Sequence, residues 1–206
     1  QPRARLVATA AFDASKLPSG LATGDVRHYD SLDDILRDER VDLVCLCSPR
    51  RRGQAADAMR CLQAGKHVYA EKPCAMTEKE LDALIDTANR TGKRFHEMAG
   101  TAFEQPYFAM RQVVQSGVIG TVVQVLAQKS YPYHDARPQD EEVDGGLILQ
   151  NGVHALRMVE HVAGVRITGI SAVQTKLGNP CEGELHMATT MMMRLANGGV
   201  ACAIAN

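Results

Sequence analysis

Apolar positions in the first hundred residues fall into short runs, separated by stripes at helical spacing. Residues 6–11 (Leu-Val-Ala-Thr-Ala-Ala) form a run closed by Phe12-Asp13, which predicts a strand. Ser31 opens Ser-Leu-Asp-Asp, an N-cap with an acid three residues on, and Leu32, Ile35 and Leu36 follow as a helical stripe. Residues 41–47 (Val-Asp-Leu-Val-Cys-Leu-Cys) are nearly continuous in apolar character and end at Ser48-Pro49. That is the pattern of a strand buried on both faces, and hence of a parallel sheet. Residues 54–64 place Ala55, Ala58, Met59 and Leu62 on one helical face and stop at Gly65, a C-cap residue. Residues 67–70 predict another strand, interrupted by Glu71-Lys72-Pro73. Thr77 begins a capping box, Thr-Glu-Lys-Glu, with Leu81, Leu84 and Ile85 as the apolar face and Gly92 near the end. Residues 94–98 give a last strand. Alternation of this kind requires a parallel sheet covered by helices and wound right-handed.

Past residue 102 the pattern changes. Residues 106–115 predict a helix, broken by the segment from Gly117 to Gly120. Residues 121–131 carry β-branched residues in a long run and predict a longer strand. Residues 145–162 contain a helix, with Leu156, Val159 and residues 161–162 turned inward. Residues 167–175 alternate as a strand does. Residues 187–195 and 199–205 flank Asn197-Gly198, the sequence of a tight hairpin turn. The expectation is an α/β chain: an incomplete Rossmann-like parallel sheet over residues 1–102, then an α+β domain with a mostly antiparallel sheet over residues 103–206.

Composition adds exclusions. Hydrophobic residues make up 45% and charged residues 23%, the balance of an ordinary globular chain. A formal net charge of -1 gives no electrostatic reason to expect nucleic acid or an anionic membrane, and Arg50, Arg51 and Arg52 are too few to alter that. No apolar run approaches the roughly 20 residues that span a bilayer. The six cysteines have no metal-site spacing. Cys45 and Cys47, two apart in a strand, point to one face and are expected to pack there; a reducing cytoplasm is the expected setting, with no metal.

A dinucleotide-binding sheet normally opens with a strand, Gly-x-Gly-x-x-Gly and a helix whose N-terminus holds the pyrophosphate. That spacing does not occur among the 17 glycines. The first strand instead ends at Asp13, where an acid on the second strand would bond the adenosine ribose, about 20 residues past the glycine loop. The expectation is a chain shortened at both ends and lacking the first βα unit, with weak cofactor affinity by itself. Asp13 also reads as a turn or helix-capping acid, and sequence leaves the two readings level.

The residues from Val41 to Pro73, with Val-Asp-Leu-Val-Cys-Leu-Cys-Ser-Pro followed by Ala-Gly-Lys-His-Val-Tyr-Ala-Glu-Lys-Pro, strongly resemble the Gfo/Idh/MocA oxidoreductases, the family of glucose-fructose oxidoreductase and inositol dehydrogenase. The likeness continues through Met76-Thr77, Ser116-Gly117-Val118-Ile119-Gly120, Gly145-Gly146 to Gly152-Val-His154, and Ala196-Asn197-Gly198. The resemblance implies hydride transfer between a nicotinamide cofactor and a sugar, inositol or related polyol. Lys72 would polarise and orient the reacting oxygen, and His154 would exchange the hydroxyl proton, the two meeting across a cleft. Ser48 and Pro49 would lie beside the nicotinamide ribose. Glu71 and Pro73 would be structural and cofactor-facing. Asp13 would favour NAD, with NADP the alternative, because a carboxylate repels a 2′-phosphate. A homo-oligomer formed through the open sheet face of the second domain is implied as well.

Three departures stand out. The family commonly has Asp four residues before its histidine, where this chain has Gln150; an amide orients a hydroxyl but cannot hold a charge. The usual Thr-Pro-Asn-x-x-His stretch reads Ser48-Pro49-Arg50-Arg51-Arg52-Gly53, and an arginine before Phe103 is replaced by Ala102. A polar loop with Tyr131, Tyr133, His134 and Arg137, followed by Glu141, Glu142 and Asp144, is expected to border the substrate cleft, with Tyr133 and His134 the candidate substrate contacts; a plain surface loop is the competing reading. His161 has no motif support and reads as a core histidine. Gln150 and the missing glycine loop leave open a non-catalytic nucleotide- or sugar-binding relative, or a fragment without function alone.

Overall fold

The computed structural model describes residues 4–21, 24–98, 100, 103–132 and 137–206. Contacts divide the chain into two units, Gln1–Ser48 with Gly53–Glu97, and Pro49–Arg52 with Met98–Asn206.

The first unit runs β1 (Ala8–Ala10), β2 (Arg27–Tyr29), α1 (Leu32–Leu36), β3 (Leu43–Leu46), α2 (Gln54–Gln63), β4 (His67–Ala70), α3 (Glu78–Thr91) and β5 (Phe95–Glu97). All pairings are parallel, in two sheets, β1-β2 and β3-β4-β5. Val44 and Leu46 of β3 and Val68 and Ala70 of β4 pack with Ala58, Cys61 and Leu62 of α2 and Leu84 of α3. Full burial of a leucine such as Leu62 or Leu84 contributes about 1.5–3 kcal/mol. The same burial pushes the Cys61 thiol up to about 12, so it stays protonated and inert.

The caps form as their residue types require. Ser31 accepts from the Asp34 N–H, and Thr77 and Glu80 complete a reciprocal capping box. Gly92 ends α3 with φ +67°, a left-handed turn that a side chain would strain.

Two local expectations differ from the structure. β3 is buried on one face only: Val44 and Leu46 face the helices, whereas Leu43 is 46% exposed and Cys45 and Cys47 are exposed on the alternate side. The pairing of the two cysteines on one face holds, but they do not pack into the core, because α2 and α3 join the cluster on the Val44 side. The strand β2 has no apolar run to announce it. Its Arg and His are exposed, and it is held by its ladder to β1 and by the Tyr29 hydroxyl donating to Asp38 at 3.0 Å.

The second unit contains α4 (Tyr107–Gln115), β6 (Gln124–Lys129), α5 (Glu141–Asp144), a helical stretch, β7 (Ile167–Thr175), β8 (Ala188–Leu195) and β9 (Val200–Ala205). Its sheet has the order β6-β9-β8-β7; β6 pairs with β9 in parallel and the other two pairs are antiparallel. The hairpin turns at Asn197-Gly198, where Gly198 has φ +86°. The helical stretch is not one regular α-helix: α6 (Val153–Arg157) is flanked by π-helical turns at Ile148–Gly152 and Met158–Val162. Ala155 and Val159 pack on Ala201 and Ala203 of β9 and Met191 and Met193 of β8. Gly152 on the helical stretch faces the side chains of Met191 on β8 and Ala205 on β9. Among the described residues no helix is long and apolar enough to cross a membrane, and no group of three His, Cys, Asp or Glu could hold a metal ion.

Candidate active site

In the first unit, Ser48 follows β3 and Glu71-Lys72-Pro73 follows β4. These strands are parallel neighbours, so both turns lie at the carboxyl end of the sheet, the end that binds ligands in open α/β folds. Gln54, in the first turn of α2, is fully buried and joins them. Its side-chain oxygen accepts the Ser48 N–H at 3.0 Å. Its amide nitrogen donates to the Pro73 carbonyl at 2.8 Å and to the Glu71 carbonyl. The Glu71 N–H continues the sheet by donating to the Leu46 carbonyl at 2.8 Å, and the Cys74 N–H donates to Glu97 at 3.0 Å. The Ser48 hydroxyl donates to Asp57 at 2.7 Å.

Lys72 is thus carried on a turn pinned from both sides, with a cis Lys72-Pro73 bond. Its side chain is only 12% exposed, and its ammonium lies 3.8 Å from the Glu71 carboxylate. Such a charge, largely out of bulk water and partly compensated, is fitted to donate a directed hydrogen bond to a ligand oxygen.

Asp13 follows β1 and caps a single 3-10 turn at Ala14–Lys16. Its carboxylate accepts the Ser15 hydroxyl at 2.7 Å and the Ser15 N–H at 3.0 Å, and these bonds lower its pKa from the usual carboxylate value. The capping reading of Asp13 is therefore realised, with the carboxylate still open to solvent.

In the second unit, Gln150 lies in the first π turn and His154 in α6, four residues on and so on one side of the helix. His154 lines a cavity of about 160 Å³ together with Gly100, Glu104, Tyr107, Lys129 and Tyr131. The Tyr131 ring meets the imidazole edge-on, with centroids 6.2 Å apart, and the Lys129 ammonium stands 4.7 Å from the Tyr131 ring centre. Asn151, fully buried beside Gln150, donates to the Lys129 carbonyl at 3.2 Å and to the Asn206 carbonyl at 2.9 Å, fixing the helix to the ends of β6 and β9.

His161 takes the structural part expected of it: Arg111 donates to its carbonyl at 2.8 Å, and burial lowers its pKa. Tyr133 and His134 lie outside the described residues. Arg137 faces Asp144 at 4.0 Å. Pro49 belongs by contacts to the second unit, with the arginines that follow it: Arg50 pairs with Asp140 at 2.7 Å and Arg52 with Glu142 at 2.8 Å.

Sequence reasoning missed Gln54, Asn151, Glu104, Tyr107 and Lys129. Gln54 and Asn151 carry one detectable signal, a carboxamide at a position that the fold buries. Glu104, Tyr107 and Lys129 carry none, because they meet only through tertiary packing.

Parallel strands with a pinned lysine turn at their carboxyl ends make up the first unit, and a mixed sheet with a histidine-bearing helix makes up the second. Residues 1–98 match the model of the oxidoreductase family with an NAD-binding Rossmann fold, and residues 107–206 match the GFO/IDH/MocA C-terminal domain. The chain belongs to the Gfo/Idh/MocA oxidoreductase family.

It is 31% identical over 157 residues to an uncharacterized oxidoreductase of Rhizobium meliloti, covering 74% of this chain and 47% of that one. It is 30% identical over 149 residues to D-glucoside 3-dehydrogenase of Escherichia coli K12 (68% of this chain, 41% of the relative). To the inositol 2-dehydrogenase/D-chiro-inositol 3-dehydrogenase of Lactiplantibacillus plantarum it is 27% identical over 130 residues (62% and 35%). The fold superposes on an NAD binding oxidoreductase from Klebsiella pneumoniae with a TM-score of 0.82 at 20% identity, covering 98% of this chain and 57% of the other. The chain spans about half the length of the first of these curated relatives.

Proposed function

We propose that this chain is the partial dinucleotide-binding domain (residues 1–102) and partial substrate and oligomerisation domain (residues 103–206) of a nicotinamide-dependent dehydrogenase. Its substrate is a sugar, an inositol or a related polyol. The observation that supports this best is the buried Gln54 bridge, which fixes the Lys72 turn beside Ser48 at the carboxyl end of a parallel sheet.

The residues present fit two parts of the cofactor. The exposed Asp13 carboxylate after β1 has the chemistry to accept from ribose hydroxyls and to disfavour a 2′-phosphate, which favours NAD over NADP. The Ser48 and Lys72 turns, with Pro49, Glu71 and Pro73, would flank the nicotinamide end. When bound, the nicotinamide ring supplies the site that gives or takes hydride. Lys72 then donates a hydrogen bond to the substrate oxygen, favouring the form that carries negative charge. His154 takes up or returns the hydroxyl proton, a task suited to an imidazole because it titrates near neutrality. Gln150 orients but cannot share a proton. Six cysteines outside any disulfide suit a reducing cytoplasm.

A second copy of the chain is the partner we propose for the open face of the second sheet, where Leu126 and Met192 stand in one row and Val173 in the next, all more than 60% exposed.

Turnover of NAD and NADP against a panel of sugars and inositols, in wild type and Lys72→Ala, tests the catalytic reading. A loss of about 10²-fold or more on substitution supports it. Unchanged turnover sinks it. Gln150 favours one second reading, a relative that binds the same ligands without reacting them. Ligand binding by wild type with no turnover on any panel member would select that reading.

A further inference from the structure

We propose that Lys129 and Glu104 are the specificity-determining pair of the His154 cavity, and that they select an uncharged, single-ring polyol over charged sugars and over oligosaccharides. This rests on the reading of the chain as a polyol oxidoreductase.

Lys129 ends β6, paired with Ala205 of β9, and its carbonyl is held by the buried Asn151 amide. Its ammonium stands 4.7 Å from the centre of the Tyr131 ring, whose edge-on neighbour is the His154 imidazole. The lysine is therefore held at its backbone and at its tip. An ammonium has three donors, and an aromatic face engages only one side of it.

Glu104 is placed by two bonds: the Phe103 and Glu104 N–H groups both donate to the Gly100 carbonyl at 2.8 Å. Its carboxylate lies against Gly100, in space that any Cβ at that position would occupy. Gly100 is thus the residue that lets Glu104 reach the cavity wall. Neither Lys129 nor Glu104 makes an ion pair among the described residues.

One cationic donor, one anionic acceptor and the phenols of Tyr107 and Tyr131 form a set matched to hydroxyl groups, each of which both donates and accepts. The two charges oppose each other, so a ligand carrying a net charge is attracted by one and repelled by the other. An uncharged ligand meets no such conflict. A dry cavity of roughly 150 Å³ holds benzene, and a hydroxylated ring is larger than benzene, so a cavity of about 160 Å³ has room for no more than one such ring.

The test follows the His154 ring resonances of the isotope-labelled 206-residue chain, assigned with His154→Gln, during titration with myo-inositol, D-glucuronate and maltose. Saturable perturbation by myo-inositol is expected, with glucuronate and maltose weaker by about tenfold or more. Lys129→Met and Glu104→Gln should each weaken myo-inositol binding about fivefold or more, and Glu104→Gln should narrow the gap to glucuronate. Gly100→Ala, which displaces the Glu104 carboxylate without removing it, should act as Glu104→Gln does. Equal binding of glucuronate or maltose by wild type overturns the proposal, as does unchanged myo-inositol binding in either charge variant. The absence of a saturable response to all three ligands overturns it as well. The catalytic reading is judged separately, by the Lys72→Ala turnover assay, which involves neither residue of this pair.

Discussion

The backbone N–H of Ser48 donates to the side-chain oxygen of Gln54 at 3.0 Å, inside the protein and out of water. The other end of the same carboxamide donates to the Pro73 and Glu71 carbonyls. One side chain therefore satisfies groups from two strand ends, and its rigidity is what aims Lys72. Gln54→Leu leaves these groups without a partner, at about 1–3 kcal/mol for each one that stays dry. Chemical denaturation should show a loss of stability in that range or above it. Gln54→Glu keeps the acceptor but sets an oxygen against two carbonyls, so it should not restore stability at neutral pH. A Gln54→Leu variant as stable as wild type would remove the bridge from the account.

Asn151 does for the second unit what Gln54 does for the first. Its amide nitrogen holds the Lys129 and Asn206 carbonyls, while its oxygen is buried without a hydrogen-bond partner among the described residues. A buried polar atom so placed is uncommon. Asn151→Ala is expected to destabilise by about 1–3 kcal/mol and to broaden the Lys129 resonances, since the strand end is no longer tied to the helix. Sharp, unshifted Lys129 signals in that variant would argue that the tie is dispensable.

Asp38 carries the pH dependence that the first unit allows to be worked out. The Arg40 guanidinium, first through its side-chain hydrogen bonds, and then the Arg40 N–H hold this carboxylate well below the usual range; burial opposes them, and the Tyr29 hydroxyl adds to the lowering. A carboxylate with a depressed folded-state pKa contributes stability above its unfolded value of about 3.9. That contribution fades as pH falls through the folded value. Asp38→Asn should thus melt lower than wild type at pH 7, and the gap between the two should begin to narrow as pH falls below about 4 and go on narrowing to the lowest pH reached. A gap that stays constant down to pH 2 would show that the charge is not what matters.

How much of this was legible in the sequence depends on where each signal resides. Ser31, Thr77 with Glu80, Gly92 and Asn197-Gly198 act through bonds to near neighbours, so their spacing alone announced caps and a turn that the structure contains. β2 was hidden because an exposed strand held by one ladder needs no apolar side chains. The run from Val41 to Cys47 suggested burial on both faces, yet Leu43 and Cys45 are exposed; apolar character does not say whether a covering element exists. The π turns around α6 follow no periodicity that five residues could display. Of the site, Lys72 and His154 were visible through motif resemblance, whereas Glu104 and Lys129 share a cavity only because the chain folds back over some twenty-five positions.

Gln150 offers the sharpest remaining prediction. It sits in the π turn that leads into α6, four residues before His154. An imidazole that accepts a proton becomes a cation, and a nearby carboxylate stabilises that cation, whereas a carboxamide contributes only a dipole. Gln150→Asp introduces a negative charge and shortens the side chain by one methylene at a half-buried position, so a modest loss of thermal stability is expected, about 1 kcal/mol. If His154 is the proton-exchanging group, turnover should rise by about tenfold or more, part of the 10²–10⁴ that a positioned acid-base partner supplies. The imidazole would hold its proton to higher pH, so the alkaline limb of its titration, followed by NMR, should move upward. His154→Gln placed on top of Gln150→Asp should erase the gain in rate. A gain that survives the loss of the imidazole would assign the proton to another group.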